Sequence, residues 1–275
     1  MNNVNKQSLV LFSGGIDSTA ILLWMLDNTD DEIEVHHIIL KNKQNRYELE
    51  IQACDKIIEW MKKNKRPFKY TESIIDLGLE GGVLDMYVYM WLAGLKSMER
   101  RGTLDRVVTG RLKPFNDKIL QRRKNRTERV EEMFRLLVTH SFDEEEKIPV
   151  TRNHKSAPKI SGVTRMEGIN QTIYPELFKP LLKMTKEEVI SLLPEELLEM
   201  CFYCRYPKVV LENGEIWSLV ELDGESFSIF DGHINKIKIE RIENCNDCHS
   251  CLAVRRSLGE MTEQELDRKT HRMMD

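Results

Sequence analysis

The order of apolar and polar residues predicts alternating strands and helices over the first part of the chain. Residues 8–12 are a short continuous apolar run of the kind a buried strand gives. Glycines follow, and residues 19–26 have helical character. Residues 33–40 read as a second strand. From 48 to 62 apolar positions recur at helical spacing, with Cys54, Ile57, Ile58 and Met61 on one face. Residues 68–75 suit a third strand, 84–98 a strongly apolar helix, and 106–110 a fourth strand ending in a loop. Such alternation implies an α/β fold, a doubly wound parallel sheet with helices on both faces.

The pattern then changes. Residues 111–170 are polar and charged, with a basic run at 121–126 and a helical stretch at 128–137. Residues 177–182 suit a fifth strand. Thr185 and Glu188 have capping-box spacing and open a helix that reaches 193. Beyond Cys204 the rhythm becomes that of strands. Asn213-Gly214, Asp223-Gly224 and Asp231-Gly232 are hairpin signals between alternating apolar runs. They predict a small β-meander at about 208–241. The tail, 262–272, reads as a surface helix. The expected division is an α/β domain over 1–200 and a C-terminal region over 201–275 that contains the meander.

Composition adds limits. With 41% hydrophobic and 31% charged residues, the chain suits a soluble globular protein. A net charge of -4 gives no bulk reason to expect nucleic-acid binding, and direct nucleic-acid contact stays open. No run approaches the roughly 18 apolar residues of a membrane span. The first six residues lead straight into a strand and leave no room for a signal peptide, so a cytoplasmic protein is expected.

The most informative segment is Ser13-Gly14-Gly15-Ile16-Asp17-Ser18, between the first strand and the first helix. Two glycines let the backbone approach a ligand closely. The helix behind them points free N–H groups and its positive dipole end at that ligand. Ser13, Ser18 and Thr19 add hydroxyl groups. The turn is built for an anion, best a pyrophosphate. It lacks the Gly-Lys-Ser/Thr ending of a Walker loop. The plainer alternative is a tight strand-to-helix turn capped by serine. Arg111 and Lys113 follow Gly110 beyond the fourth strand, where open α/β sheets bind ligands, and would contact phosphates or a substrate carboxylate. A solvated basic surface is the competing reading, and for residues 122–126 it is the favoured one.

Five of the six cysteines fall after residue 200. Cys245, Cys248 and Cys251 stand at two-residue spacing, and Cys201 or Cys204 offers a fourth thiol. A closed tetrahedral zinc site wants four such ligands. An iron–sulfur cluster or a redox centre would also use thiolates. In a reducing compartment metal is favoured over disulfides. Cys54 reads as a core residue and His249 as a solvated spacer.

The loop closely resembles the S-G-G-x-D-S signature of the pyrophosphate-loop (PP-loop) ATP pyrophosphatases, with Ser13, Gly14, Gly15, Asp17 and Ser18 on the motif. That resemblance implies an adenine-nucleotide α-hydrolase fold, and ATP with Mg2+ cleaved between the α and β phosphates to give an adenylated intermediate. Asp17 and Ser13 become the expected catalytic residues, and Ser13, Gly14, Gly15, Asp17, Ser18, Thr19, Gly110, Arg111 and Lys113 the expected nucleotide contacts. The C-terminal C-x-x-C-x-x-C completed by an upstream cysteine resembles the 7-cyano-7-deazaguanine synthase (QueC) family. Further likeness lies at residues 180–188, at 204–207, at 252–256, in strand four, and at Arg46 and Glu48, where that family carries a polar stretch.

The family resemblance implies a Zn2+ site at Cys204, Cys245, Cys248 and Cys251, a catalytic part for Arg46, and a homodimer. It also implies ATP-dependent conversion of 7-carboxy-7-deazaguanine and ammonia to the nitrile, in a queuosine-type pathway. The chain departs from the family in two places. The segment after Gly110 lacks the family's Tyr-Pro-Asp-Cys-Arg-like substrate stretch, and the meander between Cys204 and Cys245 is an insertion. The chain is therefore identified as a divergent member. A tRNA sulfurtransferase, a QueC-like enzyme that conjugates a deazaguanine to a macromolecule, and a zinc-ribbon nucleic-acid binder without catalysis are the alternatives.

Overall fold

The computed structural model describes residues 5–42, 44–77, 85–100, 103–110, 112, 128–135, 137–138, 175–219, 227–228, 232–234, 237–262 and 265. Arg111, Lys113, the basic run at 121–126 and all but the start of the 262–272 tail lie outside them, as does the Asp223-Gly224 hairpin signal.

The first sheet is parallel throughout, in the order β3-β2-β1-β4-β5. Its strands are β1 (Gln7–Phe12), β2 (Glu32–Lys41), β3 (Lys69–Asp76), β4 (Arg106–Val108) and β5 (Glu176–Phe178). The helices are α1 (Ile16–Asn28), α2 (Tyr47–Asn64), α3 (Asp85–Glu99), α4 (residues 128–135 and 137–138), α5 (Lys186–Ser191) and α6 (Glu195–Met200).

Both faces of the sheet are covered. Val10, Phe12, Val35 and Val108 pack with α1, α2, α5 and α6, while Leu9 and Val107 pack with Met90 and Ala93 of α3 and Val130 and Phe134 of α4. That is why β1 reads as an unbroken apolar run: residues of both parities are buried. The same double coverage leaves α1 buried almost all round, from Ile16 to Leu26. The helix starts three residues earlier than the apolar pattern predicts, because Asp17 and Ser18 give its first turn a loop-like composition. β5 ends at Phe178, before Pro180, whose missing N–H ends a ladder. Thr185 caps α5 with the expected capping box, its hydroxyl accepting from Glu188 N while Glu188 accepts from Thr185 N.

The all-β segment forms a second sheet of β6 (Lys208–Leu211), β7 (Ile216–Ser218), β8 (Phe227–Ser228), β9 (His233–Ile234) and β10 (Ile237–Glu243). Its order is β7-β6-β10-β9-β8. The last strand therefore lies antiparallel beside the first, where a simple meander would hold them apart. Gly214 takes φ +83° in the predicted Asn213-Gly214 turn, a value an L side chain rarely adopts. Leu49 of α2 is buried with Val209, Leu211, Leu219 and Ile234, and Asn45 Nδ2 donates to Leu219 O at 3.1 Å. These contacts seat the small sheet on the α/β domain. α7 (His249–Ser257) follows the small sheet and packs on α5.

His36 on β2 is fully buried and generates a pH prediction. Its Nδ1 lies 2.8 Å from Thr71 Oγ1, whose own proton goes to Glu34 Oε1 at 2.9 Å. Nδ1 is therefore the donor, and Nε2 is buried without a partner among the described residues. Burial above all, with Lys96 and His37, lowers its pKa from 6.5 to about 4. The unfolded chain binds the extra proton first, so this contribution is intact above pH 6.5 and lost as pH falls towards 4. Urea denaturation should show wild type losing up to about 1.4 kcal/mol per pH unit more than His36→Phe in that window. Equal slopes would remove His36 as the cause.

Candidate functional site

β1 stops at Phe12 and α1 begins at Ile16, so Ser13-Gly14-Gly15 is the whole connection. Gly14 has φ +68°, and a Cβ there would meet Ala53 Cβ and Cys54 Sγ at 3.1 Å. The turn thus lies against α2 with space for glycine alone. Gly15 is the N-cap of α1 and supplies no side-chain cap. The first-turn N–H groups are therefore left for a ligand or water. The hydroxyls tie the turn to itself. Ser13 and Ser18 Oγ atoms are 3.2 Å apart, Ser18 Oγ donates to Gly15 O at 3.0 Å, and Thr19 Oγ1 donates to the same oxygen at 2.9 Å.

The loop sits where the strand order reverses. From β1 the chain runs outward to β2 and β3 and then returns to β4 on the other side. The carboxyl ends at such a point are the usual ligand crevice of an open α/β sheet. Gly110, just beyond β4, faces Asp17: a Cβ on it would be 3.5 Å from Asp17 Cβ. Lys186, the first residue of α5, forms an ion pair with Asp17. Lys186 was not singled out from the sequence, although it directly follows the Thr185 cap.

Arg46 occupies different surroundings. It precedes α2 and forks between Glu50 Oε1 at 3.2 Å and Asp85 Oδ2 at 2.9 Å, and Asn42 Nδ2 donates to Asp85 Oδ1 at 3.2 Å. Burial lowers the Arg46 pKa, but the Glu50 and Asp85 carboxylates outweigh it and the net direction is up. Glu50 is raised, chiefly by its own burial. Along α2, Arg46 lies eight residues before Cys54, roughly 12 Å along the axis. It belongs to a buried ion network at the end of β2, which involves Glu50 and Asp85 as well. Glu50 was legible as an i+4 partner of Arg46; Asp85, distant in sequence, was not. Glu48 is buried near the start of the same helix, where the Tyr47 hydroxyl donates to it at 3.1 Å.

The ligand atoms of Cys204, Cys245, Cys248 and Cys251 lie within 4.8 Å of one another. The Cys248 and Cys251 sulfurs are 3.4 Å apart, and those of Cys245 and Cys251 3.9 Å. Backbone N–H groups aim at the sulfurs: Cys245 N at Cys204, Cys248 N at Cys245, and Arg205 N at Cys248, at 3.2, 3.2 and 3.4 Å. Cys248 also caps α7 and accepts from Cys251 N. Hydrogen bonds from Cys204 and Cys251 hold the Cys248 thiol well below its ordinary range. Its bond to Cys248 is the main cause that pushes Cys204 up to about 12. A divalent cation would ionise the thiols it binds.

Cys201 is elsewhere. Its Sγ donates to Leu197 O at 3.1 Å, it touches the Thr19 hydroxyl, and burial pushes its pKa up to about 11. Cys54 is buried against Gly14, and burial raises its pKa well above the ordinary thiol value. No helix among the described residues is long and apolar enough to cross a membrane.

No protein-family model and no curated protein matches the chain. Among solved structures it is similar to the U34-tRNA thiolase NcsA from Methanococcus maripaludis with its [4Fe-4S] cluster, with 13% identity and a TM-score of 0.38. The similarity covers 71% of this chain and 57% of that one, a distant likeness that assigns no role to any residue here. The fold and the site define an α/β protein with a parallel five-strand sheet, a helix N-terminus without a side-chain cap at its switch point, and a cysteine cluster able to bind a metal ion.

Cys201 and Cys204 give a direct test of the ligand set. Elemental analysis of purified protein should find one metal ion per chain. Cys204→Ser should lose it and Cys201→Ser should keep it, because only Cys204 joins the cluster. Retention by Cys204→Ser together with loss by Cys201→Ser would reverse the choice.

Proposed function

We propose that this protein is an ATP-consuming enzyme of the PP-loop type, which adenylates an acceptor and releases pyrophosphate. The observation that carries the reading is the Ser13–Thr19 turn: uncapped helix N–H groups at the switch point of a parallel sheet, in a loop that three hydroxyls brace from within. These donors suit the charge that develops on a leaving pyrophosphate, and a fixed turn holds them there before reaction. Lys186 places a positive charge beside the turn, paired with Asp17. The Asp17 side chain, 40% exposed, offers a hard oxygen ligand and would hold magnesium, which screens phosphate charge.

The acceptor we favour is 7-carboxy-7-deazaguanine, converted with ammonia to the nitrile in a 7-deazaguanine pathway, by a cytoplasmic homodimer. Its support is the family resemblance at the loop and the cysteines. For the metal we favour zinc. Thiolates about 2.3 Å from one tetrahedral ion stand about 3.8 Å apart, close to the spacing here. A [4Fe-4S] cluster attaches each thiolate to a different iron and needs the sulfurs further apart. Four protein ligands leave no open position, so the ion's part would be structural.

Sulfur transfer to tRNA is the second reading. It needs a reactive, accessible cysteine. Cys54 and Cys201, the two outside the cluster, are buried with raised pKa values. Conjugation of a deazaguanine to a macromolecule stays attached to the first reading, through the inserted small sheet.

Ser13→Ala and Asp17→Ala should abolish pyrophosphate release while leaving the circular-dichroism spectrum unchanged. Wild-type release by either would remove the ATP assignment. AMP formation should rise on addition of 7-carboxy-7-deazaguanine, and ammonium should then yield amide or nitrile by mass spectrometry. No stimulation by the deazaguanine, beside AMP formation driven by tRNA and a sulfur donor, would move the assignment to thiolation.

A further inference from the structure

The segment from Cys201 to Cys204 joins the phosphate turn to the sulfur cluster. Phe202 N–H donates to Gly14 O at 3.0 Å. The Phe202 carbonyl lies 3.3 Å from where a Cβ on Gly15 would be. Before it, the Cys201 thiol contacts the Thr19 hydroxyl. Two residues after it, Cys204 enters the cluster. The Phe202 ring packs against the main core, against the core of the small sheet and against the cysteines.

Gly14 is the turn residue with positive φ, and its carbonyl direction sets where the neighbouring N–H groups point. Two residues of extended chain span at most about 7 Å, so a shift of Cys204 leaves little slack before Phe202 must follow. Sulfurs this close keep their places only with a shared cation or shared protons between them.

We propose that the four-cysteine centre positions the phosphate turn, with Phe202 as the positioning residue acting through its backbone N–H on Gly14, so that nucleotide affinity depends on metal occupancy. The proposal rests on the nucleotide reading above. It gives the metal a second part beyond holding the C-terminal region.

The test is calorimetric binding of a non-hydrolysable ATP analogue with magnesium to the full chain: loaded, stripped by a chelator, and reloaded. Stripping should weaken binding roughly tenfold, the scale of one lost hydrogen bond to a preorganised turn, and reloading should restore it. Phe202→Pro removes the donor, and Cys201, at φ -71° and ψ 132°, already has the extended conformation that precedes proline. This variant should keep its metal, by elemental analysis, yet bind the analogue roughly tenfold more weakly. Stripping it should add little, because both changes remove the same link. Phe202→Leu, which keeps the N–H, should bind as wild type does. Equal affinity in loaded and stripped wild type, or wild-type affinity in metal-loaded Phe202→Pro, would overturn the coupling alone. No binding by any form, loaded wild type included, would overturn the nucleotide reading and the coupling with it.

Discussion

Four sulfurs brought within 4.8 Å of one another are the constraint on which the C-terminal third depends. Cys204 stands directly before the small sheet and Cys245 directly after it, so the cluster draws both ends of that sheet to one point. β10 then lies beside β6, with Glu243 opposite Lys208. The same junction fixes the start of α7 through Cys248, and α7 in turn packs on α5, which carries Lys186. A short hydrophobic core of Val209, Leu211, Leu219 and Ile234 would be marginal by itself. Seating it on Leu49 restricts that sheet, and a metal ion held by the four sulfurs would cross-link its ends and restrict it further.

The glycine turn meets a different constraint, that of charge. Its helix end favours an anion, yet Asp17 brings a carboxylate into the same turn. Lys186 pairs with that carboxylate, so the two side chains together bring little net charge to the turn. The Arg46 network is the reverse case. One guanidinium serves two carboxylates in a buried place, and burial, with a smaller push from Asp85, raises the Glu50 pKa in spite of Arg46.

Much of the α/β half was legible because its signals are local. The apolar run of β1, the helical spacing around Ile57 and the Thr185 capping box each act within a few residues. The Asn213-Gly214 turn was legible for the same reason, but the order of the small sheet was not. That order follows from pairing between β6 and β10, which contact far along the chain, and periodicity says nothing of partners. The choice between Cys201 and Cys204 is similar. Both stand in one Cys-x-x-Cys, and only the end of α6 turns Cys201 back towards Leu197 O and leaves Cys204 free to reach the other three. Lys186 escaped notice because a lysine at a helix start is ordinary; what marks it is Asp17, 169 residues away.

The antiparallel pairing of β6 with β10 makes the small sheet begin and end on neighbouring strands. A segment whose entrance and exit adjoin can be lengthened, shortened or exchanged for another without pulling on its hosts. The stretch between Cys204 and Cys245 is thus a closed excursion: a change of length inside it alters what this face presents to the outside while its two ends stay side by side.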